Sequence, residues 1–442
     1  MKCLVTGLCL SRNLGGPAMG LTLMNELKKK YRNIDFTFAV TATSYDAERQ
    51  WAKKYNVKIV RRDRLHIHIL NKTKLLQLLR HFKYKGITLS EYIPSKNYWS
   101  EVHQEFINSV RDTDIIIDMN GISYVGDGTR NFFEGLEYYT NFYYAQKENK
   151  PFARFIQSFG PFDDWKVRIF ARNEFKYLDF IPARGKSSAE FCKQIVKNQS
   201  KVYDFPDVAI ILPKASDEWL EEYLHDHDLR KDHYIVLSPS SVIHNIHDHN
   251  GLSVGQNHVE SFYLIAEQLL LNNEKLVFLP HMYSDNKKEC DREVCRNIID
   301  KIKNELNNEQ YQSYIHLVEE DINPMEAKAI ITGSKVCVVS RYHALVAAVS
   351  SKTPSVAIGW NVKYKDLLDY YDLANYAIDA RQLTPESLSK IVCEKLKDLE
   401  GNKEVIAKME ALHQDNIKKV YNGFKLLQNW IDGQTGMSHE KH

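Results

Sequence analysis

The 442-residue chain sets 59 lysines and arginines against 57 acidic residues, for a formal net charge of +2, and is 43% hydrophobic. Such a length supports two or three domains with sizeable cores, and so small a net charge gives no electrostatic footprint for a nucleic-acid partner. The seven cysteines include no C-x-x-C pair and several sit in apolar runs, which fits free thiols in a reducing, cytoplasmic setting rather than a disulfide framework.

The chain opens on "KCLVTG", a strand whose apolar part is too short for a secretory signal. No window approaches the roughly 20 apolar residues of a spanning helix, so any membrane contact is expected to be peripheral, at the inner face. Helix "AMGLTLMNELKKKY" follows, then strand "DFTFAVTA", helix "AERQWAKKY" and strand "VKIV". The segment 57–86 is rich in lysine and arginine with leucines at helical spacing. A solvated basic helix explains it, and a basic amphipathic surface for anionic lipid or a lipid-linked phosphate is the second reading. "DIIIDMNG", "FARFIQSFGP" and "FIPARGKSS" are short apolar runs ending in polar residues and glycine. Short apolar runs alternating with helical stretches predict parallel sheets of the doubly wound type.

The polar stretch 211–233 separates this pattern from a second one, "YIVLSPSS", "KLVFLPH", "YIHLVEE", "VCVVSRYH" and "PSVAIGW", again interleaved with helices. The predicted fold class is α/β: two Rossmann-like domains with parallel sheets, facing across a cleft. The expected boundaries are 1–210 for the first domain, 211–233 for a linker, 234–380 for the second domain, 381–432 for C-terminal helices and 433–442 for a frayed tail.

In an open parallel sheet ligands bind outside the carboxyl ends of the strands, and the polar clusters fall there. Asn120 and Gly121 follow "DIIID", and Gln157 follows "FARFI". Arg184 ends "IPAR", Ser240 follows "YIVLSP", His281 follows "KLVFLP", and Arg341 and His343 follow "VCVVS". Arginine offers a planar fork for carboxylate or phosphate, the helix opening after His343 offers backbone N–H groups, and histidine moves protons near neutral pH. Lys363, beyond the next strand, converges on the same space. Against this stands a plain reading: Arg341 paired with an acid, His343 packed in a core, Lys363 on the surface.

These stretches resemble the polysaccharide pyruvyl transferase family over roughly residues 1–375. The resemblance rests on "NLGGPAMG" (13–20), "DIIIDMNGISYVGDG" (114–128), "KPFARFIQSFGPF" (150–162), "IPARGKSSAEF" (181–191), "VYDFPDVAIILP" (202–213) and, above all, S-R-x-H followed by x-P-x-x-A-I and a lysine. It implies a fold like the B-type glycosyltransferases (GT-B-like) and transfer of pyruvate from phosphoenolpyruvate onto two hydroxyls of one sugar, giving a cyclic ketal on a surface or capsular glycan precursor. On that resemblance His343, Arg341 and Lys363 are the catalytic candidates. Arg184, Arg341, His343, Lys363, Ser240 and His281 form the donor side, and Asn13, Gly15, Asn120, Gly121 and Gln157 the acceptor side. The acceptor is a sugar or lipid-linked saccharide. No cofactor and no metal are implied, phosphoenolpyruvate being a substrate.

Two positions depart from the family pattern. Gly16 stands where an aspartate is usual, and "SPSSVIHN" lacks an arginine found after the first strand of the second domain. A glycosyltransferase using a nucleotide-activated sugar on the same scaffold is therefore the rival reading, and a non-catalytic glycan-binding protein the second. "SSVIHNIHDHNGLSVGQNH" (240–258) holds His244, His247, His249 and His258 beside Asp248. Without cysteines or a helical i, i+4 pair it reads as a loop over the donor cleft rather than a metal site.

Overall fold

The computed structural model describes residues 1–11, 13–62, 83–84, 87–88, 96–125, 132–245, 254–284, 286–306 and 309–436. The chain divides into two compact units. One comprises Met1–Ser11, Leu23–Phe205 and Tyr421–His442; the other joins Arg12–Thr22 to Pro206–Val420.

In the first unit β1 (Lys2–Thr6), β2 (Asp35–Thr41), β3 (Lys58–Arg62), β4 (Ile115–Asp118) and β5 (Phe152–Arg154) form one sheet in the order β3-β2-β1-β4-β5. Every pairing is parallel, with Cys3 opposite both Phe36 and Ile115. All four residues of β4 are buried, as expected of a strand covered on both faces. A separate parallel pair, β6 (Ile181–Arg184) and β7 (Val202–Phe205), belongs to the same unit. The strand order reverses between β1 and β4. There Thr6 donates to Asp118 at 2.8 Å, and the fully buried Arg154 donates to Asp118 at 2.7 Å and to the equally buried Glu174.

The second sheet contains β8 (Tyr234–Ser238), β9 (Lys275–Phe278), β10 (Ile315–Leu317), β11 (Val336–Val339), β12 (Ser355–Gly359) and β13 (Ala377–Asp379). Its order is β10-β9-β8-β11-β12-β13, again parallel throughout. The chain reverses direction across the sheet between β8 and β11, which by the general rule for such sheets is where a ligand binds.

Three expected boundaries are revised. The stretch 211–233 is no free linker but part of the second unit. Its helix Asp217–Asp226 is capped by Ser216 and buries Leu220, Tyr223 and Leu224 at i, i+3, i+4 spacing, so its charges are only the outward face. Ala215 donates to the Met325 carbonyl at 2.8 Å, and the buried Lys328 ammonium donates to the carbonyls of Ile210 and Leu212 at 3.3 and 2.6 Å. The C-terminal helices are not a separate layer either. Pro385–Leu399 packs on the helix Val254–Leu271 of the second unit, whereas Lys403–Thr435 runs on into the first, where Phe424 meets Phe155 with ring centroids 4.9 Å apart. Lastly, residues 12–22 leave the first unit for the second.

Glu174→Ala would strip a fully buried arginine of one of its two carboxylates. Breaking such a pair costs about 3 kcal/mol, so the urea midpoint of the first unit should fall accordingly; an unchanged midpoint would mean that Asp118 alone balances Arg154.

Candidate functional site

The ends of β8, β9 and β11 are tied to a single carboxylate. Asp291 opens the helix Asp291–Leu306, is fully buried, and donates its own N–H to the Met282 carbonyl at 2.9 Å. Its Oδ1 accepts from the backbone N–H of Ser241 at 2.8 Å and from Nη2 of Arg341 at 2.6 Å. Oδ2 accepts from Nε of Arg341 at 2.7 Å and from the backbone N–H of His281 at 3.2 Å. Arg341 Nη2 reaches Ser241 Oγ as well, at 3.0 Å. The expected free fork is thus committed along one edge, because a carboxylate taken out of water needs a cation and donors around it. Nη1 makes no hydrogen bond among the described residues.

Arg341 is also the N-cap of the helix Tyr342–Ser351, and no side chain caps that end. Beside it, the hydroxyls of Ser240 and Ser340 are buried and make no hydrogen bond among the described residues. Tyr364 fixes the Ser340 carbonyl at 2.8 Å, while the Ser240 N–H donates to Nε2 of His258 at 3.1 Å. His281 is buried, its Nδ1 3.2 Å from Ser238 Oγ, and its carbonyl accepts from the Leu14 N–H at 3.0 Å. Burial lowers its pKa to about 4, with Asp291 pulling the other way, so the ring is neutral at physiological pH.

That contact to Leu14 carries the first loop into the second unit. Asn13 pairs with Met282 in a β-bridge, and its Oδ1 accepts from the Gly16 N–H in the first turn of the helix Gly15–Lys30 at 2.9 Å. Gly15 lies flat against His343: a Cβ at that position would fall on the imidazole Nδ1, far inside van der Waals contact. Asn13 and Gly15, expected with the acceptor residues of the first domain, therefore belong to the surroundings of His343. On the other side of the ring, Nε2 stands 3.6 Å from Oδ2 of the fully buried Asp207. The imidazole borders a small, largely apolar cavity of about 20 Å³ lined by Leu14, Ala18, His281, Lys328 and Val346 among others. Lys328, in that wall, has its pKa lowered to about 7 by burial, with a smaller contribution from Lys352.

Of the expected basic trio, His343 and Lys363 share a neighbour. The Tyr342 ring meets His343 edge-on at 5.3 Å, and the Lys363 ammonium lies 5.2 Å from its centroid. Arg341 is turned to Asp291 instead. In the first unit Asn120, Gly121, Gln157 and Arg184 do come together at strand ends. Asn120 donates to Asp118 at 3.0 Å, and Arg184 donates to the Gly121 carbonyl and to Ser158 Oγ. Gln157, fully buried, spends its amide on Asp118 and Ser123, which suits holding the loops rather than touching a ligand. Asp291 and Asp207 are the residues that sequence reasoning did not single out. His247, Asp248 and His249 lie outside the described residues, as does most of 57–86.

A profile of the family described as polysaccharide pyruvyl transferase matches residues 13–362, from Asn13 past His343 to the start of the helix that bears Lys363. The chain belongs to the polysaccharide pyruvyl transferase family. Solved structures similar to this pyruvyl transferase include an S. aureus MnaA–UDP co-structure, with 12% identity over 100% of this chain and 99% of that one and a TM-score of 0.57. The UDP-GlcNAc 2-epimerase from Neisseria meningitidis bound to UDP-GlcNAc has 13% identity over 97% and 99% of the two chains and a TM-score of 0.54. HepE of Anabaena, in complex with UDP and glucose, has 9% identity over 98% and 100% and a TM-score of 0.54. Identities this low speak to the fold, and the fold is the GT-B-like pair of Rossmann-type sheets expected from the sequence. Among the described residues no helix is long and apolar enough to cross a membrane.

Two outcomes are expected of this pyruvyl transferase. Because His281 is held neutral in the folded state but takes a proton in the unfolded chain, its contribution to stability is complete above pH 6.5 and is lost as pH falls towards about 4. The unfolding free energy of the second unit should decline over that window, and His281→Gln should flatten the slope; an identical slope in the variant would contradict the assignment. Arg341→Ala leaves Asp291 buried without its cation and should cost about 3 kcal/mol in urea unfolding. Full retention of stability would mean that Asp291 protonates without penalty.

Proposed function

We propose that this enzyme transfers pyruvate from phosphoenolpyruvate to two hydroxyls of one sugar in a surface or capsular glycan precursor, forming a cyclic ketal and releasing phosphate. The observation that carries this reading is the seat of His343: at the strand-order reversal of the second sheet, at the start of a helix, beside a cavity, between Gly15 and a buried carboxylate. In the reaction a proton is added to the methylene carbon of the donor, and a sugar hydroxyl bonds to the electron-poor C2. A second hydroxyl then displaces phosphate, which leaves with the bonding pair and takes up the remaining proton. His343 is the proton donor in the first step, a task to which an imidazole is chemically suited.

The donor carries a carboxylate and a phosphate. The uncapped N-terminus of the helix after Arg341 suits one anionic group, and the buried hydroxyls of Ser240 and Ser340 suit its oxygens. Lys363 supplies charge for the departing phosphate, and Arg341 contributes its remaining edge, Nη1. Asn120 and Gly121 offer polar groups to the acceptor, a sugar or lipid-linked saccharide met in the cytoplasm.

One observation favours a second reading. With serine at 240 and Arg341 neutralised by Asp291, the positive charge about the donor is smaller than a small trianion calls for. A nucleotide-activated sugar, whose charge is spread over two phosphates, fits such a site, and the similar structures named above hold UDP or a UDP-sugar.

Incubation with a glycan precursor and either phosphoenolpyruvate or a panel of nucleotide sugars separates the two. Phosphate release, with product heavier by one pyruvate less one water, is expected from the first, and His343→Ala should lower kcat/KM at least about 10²-fold. Nucleotide release with no reaction of phosphoenolpyruvate would replace this reading with the second.

A further inference from the structure

The first unit carries an exposed apolar face that the site described above does not use. Among the described residues eight large apolar side chains are exposed, and four of them, Tyr143, Trp165, Ile169 and Tyr177, lie on or directly after two packed helices, Phe132–Lys147 and Trp165–Phe175. The other four are scattered over β7 and three separate helices. Gly135 lets the two helices approach closely, since a Cβ there would meet Val167 at 3.3 Å. The rings of Phe170, Tyr139, Phe142 and Tyr177 follow one another with centroids 5.3, 5.4 and 6.0 Å apart, so the exposed residues sit on one continuous surface.

The charge on this surface is of one sign. Trp165 is 63% exposed and Ile169, one turn on, 54%. Arg172 and Lys176 continue their stripe at helical spacing, while Val167, Ala171, Glu174 and Phe175 face the core. Lys166, Arg172 and Lys176 are exposed and form no ion pair among the described residues. The ammonium groups of Lys166 and Lys176 lie 6.0 and 5.4 Å from the ring centroids of Trp165 and Tyr177. The acids nearby do not balance them. Glu174 is buried against Arg154, Asp164 caps the helix through the Lys166 N–H, and Asp163 precedes it.

We propose that this face docks the enzyme on an anionic phospholipid bilayer, with Trp165, Ile169 and Tyr177 entering the headgroup region and Lys166, Arg172 and Lys176 meeting lipid phosphates. Exposed apolar patches of this kind mark a surface that meets something. Tryptophan and tyrosine set beside lysine and arginine on a helix surface are the composition of an interfacial contact, the rings at headgroup depth and the cations on the lipid charge. The purpose of the contact rests on the acceptor being lipid-linked, as set out above. The loop that carries Gln157 leads from β5 into Trp165, so this helix starts at the carboxyl edge of the first sheet, the edge that holds Asn120 and Gly121. A bilayer against Trp165 therefore brings a lipid-linked saccharide to the edge where its polar contacts are.

The test is co-sedimentation of the full-length protein, without donor or acceptor, with vesicles of phosphatidylcholine alone or with about a third phosphatidylglycerol. Binding is expected to the mixed vesicles and should weaken as salt is added. Trp165→Ser with Ile169→Ser should lower partitioning at least about tenfold. Lys166→Ser with Arg172→Ser should lower it about 25-fold, from about fivefold per charge. These side chains are exposed, so the urea midpoint should match wild type, and Arg172→Glu alone probes the same face should a double variant fold poorly. Wild type that ignores the anionic vesicles overturns the proposal and leaves an acidic protein as the occupant. Equal partitioning of both double variants overturns it too, as does binding lost only when Lys72, Lys74 and Arg80 are replaced by serine, which moves the contact to 57–86. Vesicle binding by an enzyme that leaves phosphoenolpyruvate untouched keeps the docking face and overturns the pyruvate-transfer reading instead.

Discussion

The second unit is organised about a buried carboxylate that must not be left alone. Asp291 brings a charge to the point where the strands of the sheet diverge, and four donors from three different loops converge on it: two from Arg341 and one each from Ser241 and His281. An isolated carboxylate in such a place is costly, and a fully hydrogen-bonded one is tolerated. Any rearrangement of one loop would break hydrogen bonds that belong to the other two. The ends of β8, β9 and β11 are therefore fixed relative to each other, and this fixity is what allows His343, two residues after Arg341, to occupy a defined position.

That arrangement also changes what the arginine does. A guanidinium whose Nε and Nη2 are engaged by a carboxylate is a scaffold first and a ligand-binding group second. On the proposed reading, electrostatic attraction of an anionic donor then falls to the helix N-terminus, Lys363 and Nη1. The consequence is a site with less net positive charge than the bare sequence S-R-x-H suggests, and more dependent on fixed dipoles and hydroxyls. Preorganised groups of this kind act most strongly where charge develops and water is excluded.

Much of this was legible in the chain. Runs such as "VCVV" and "IIID" are too short for helices and too apolar for an exposed edge, so they mark buried parallel strands, and the polar residues after them mark the functional edge. The approach to His343 was readable on those terms. Asp291 was not, because an acid at a helix start is unremarkable by itself, serving the helix dipole, and its partner lies 50 residues away. The first loop was misread for a related reason. "NLGG" follows a strand of the first sheet, so sequence order assigns it there, whereas one backbone hydrogen bond from Leu14 to His281 and a bridge from Asn13 to Met282 bind it into the second unit. Segment 211–233 looked like a linker because its outward charges outnumber the three apolar residues that anchor it. In each case a local pattern was overruled by a partner distant in sequence.

The account comes down to where a small enol phosphate sits. A crystal structure of the enzyme soaked with phosphoenolpyruvate and no acceptor tests it most directly. The methylene carbon should lie in contact with the His343 ring, an anionic group at the start of the helix Tyr342–Ser351, and the Arg341–Asp291 pair intact beneath. Phosphoenolpyruvate bound away from His343, or an Arg341 that has abandoned Asp291 to grip it with both edges, would contradict the account.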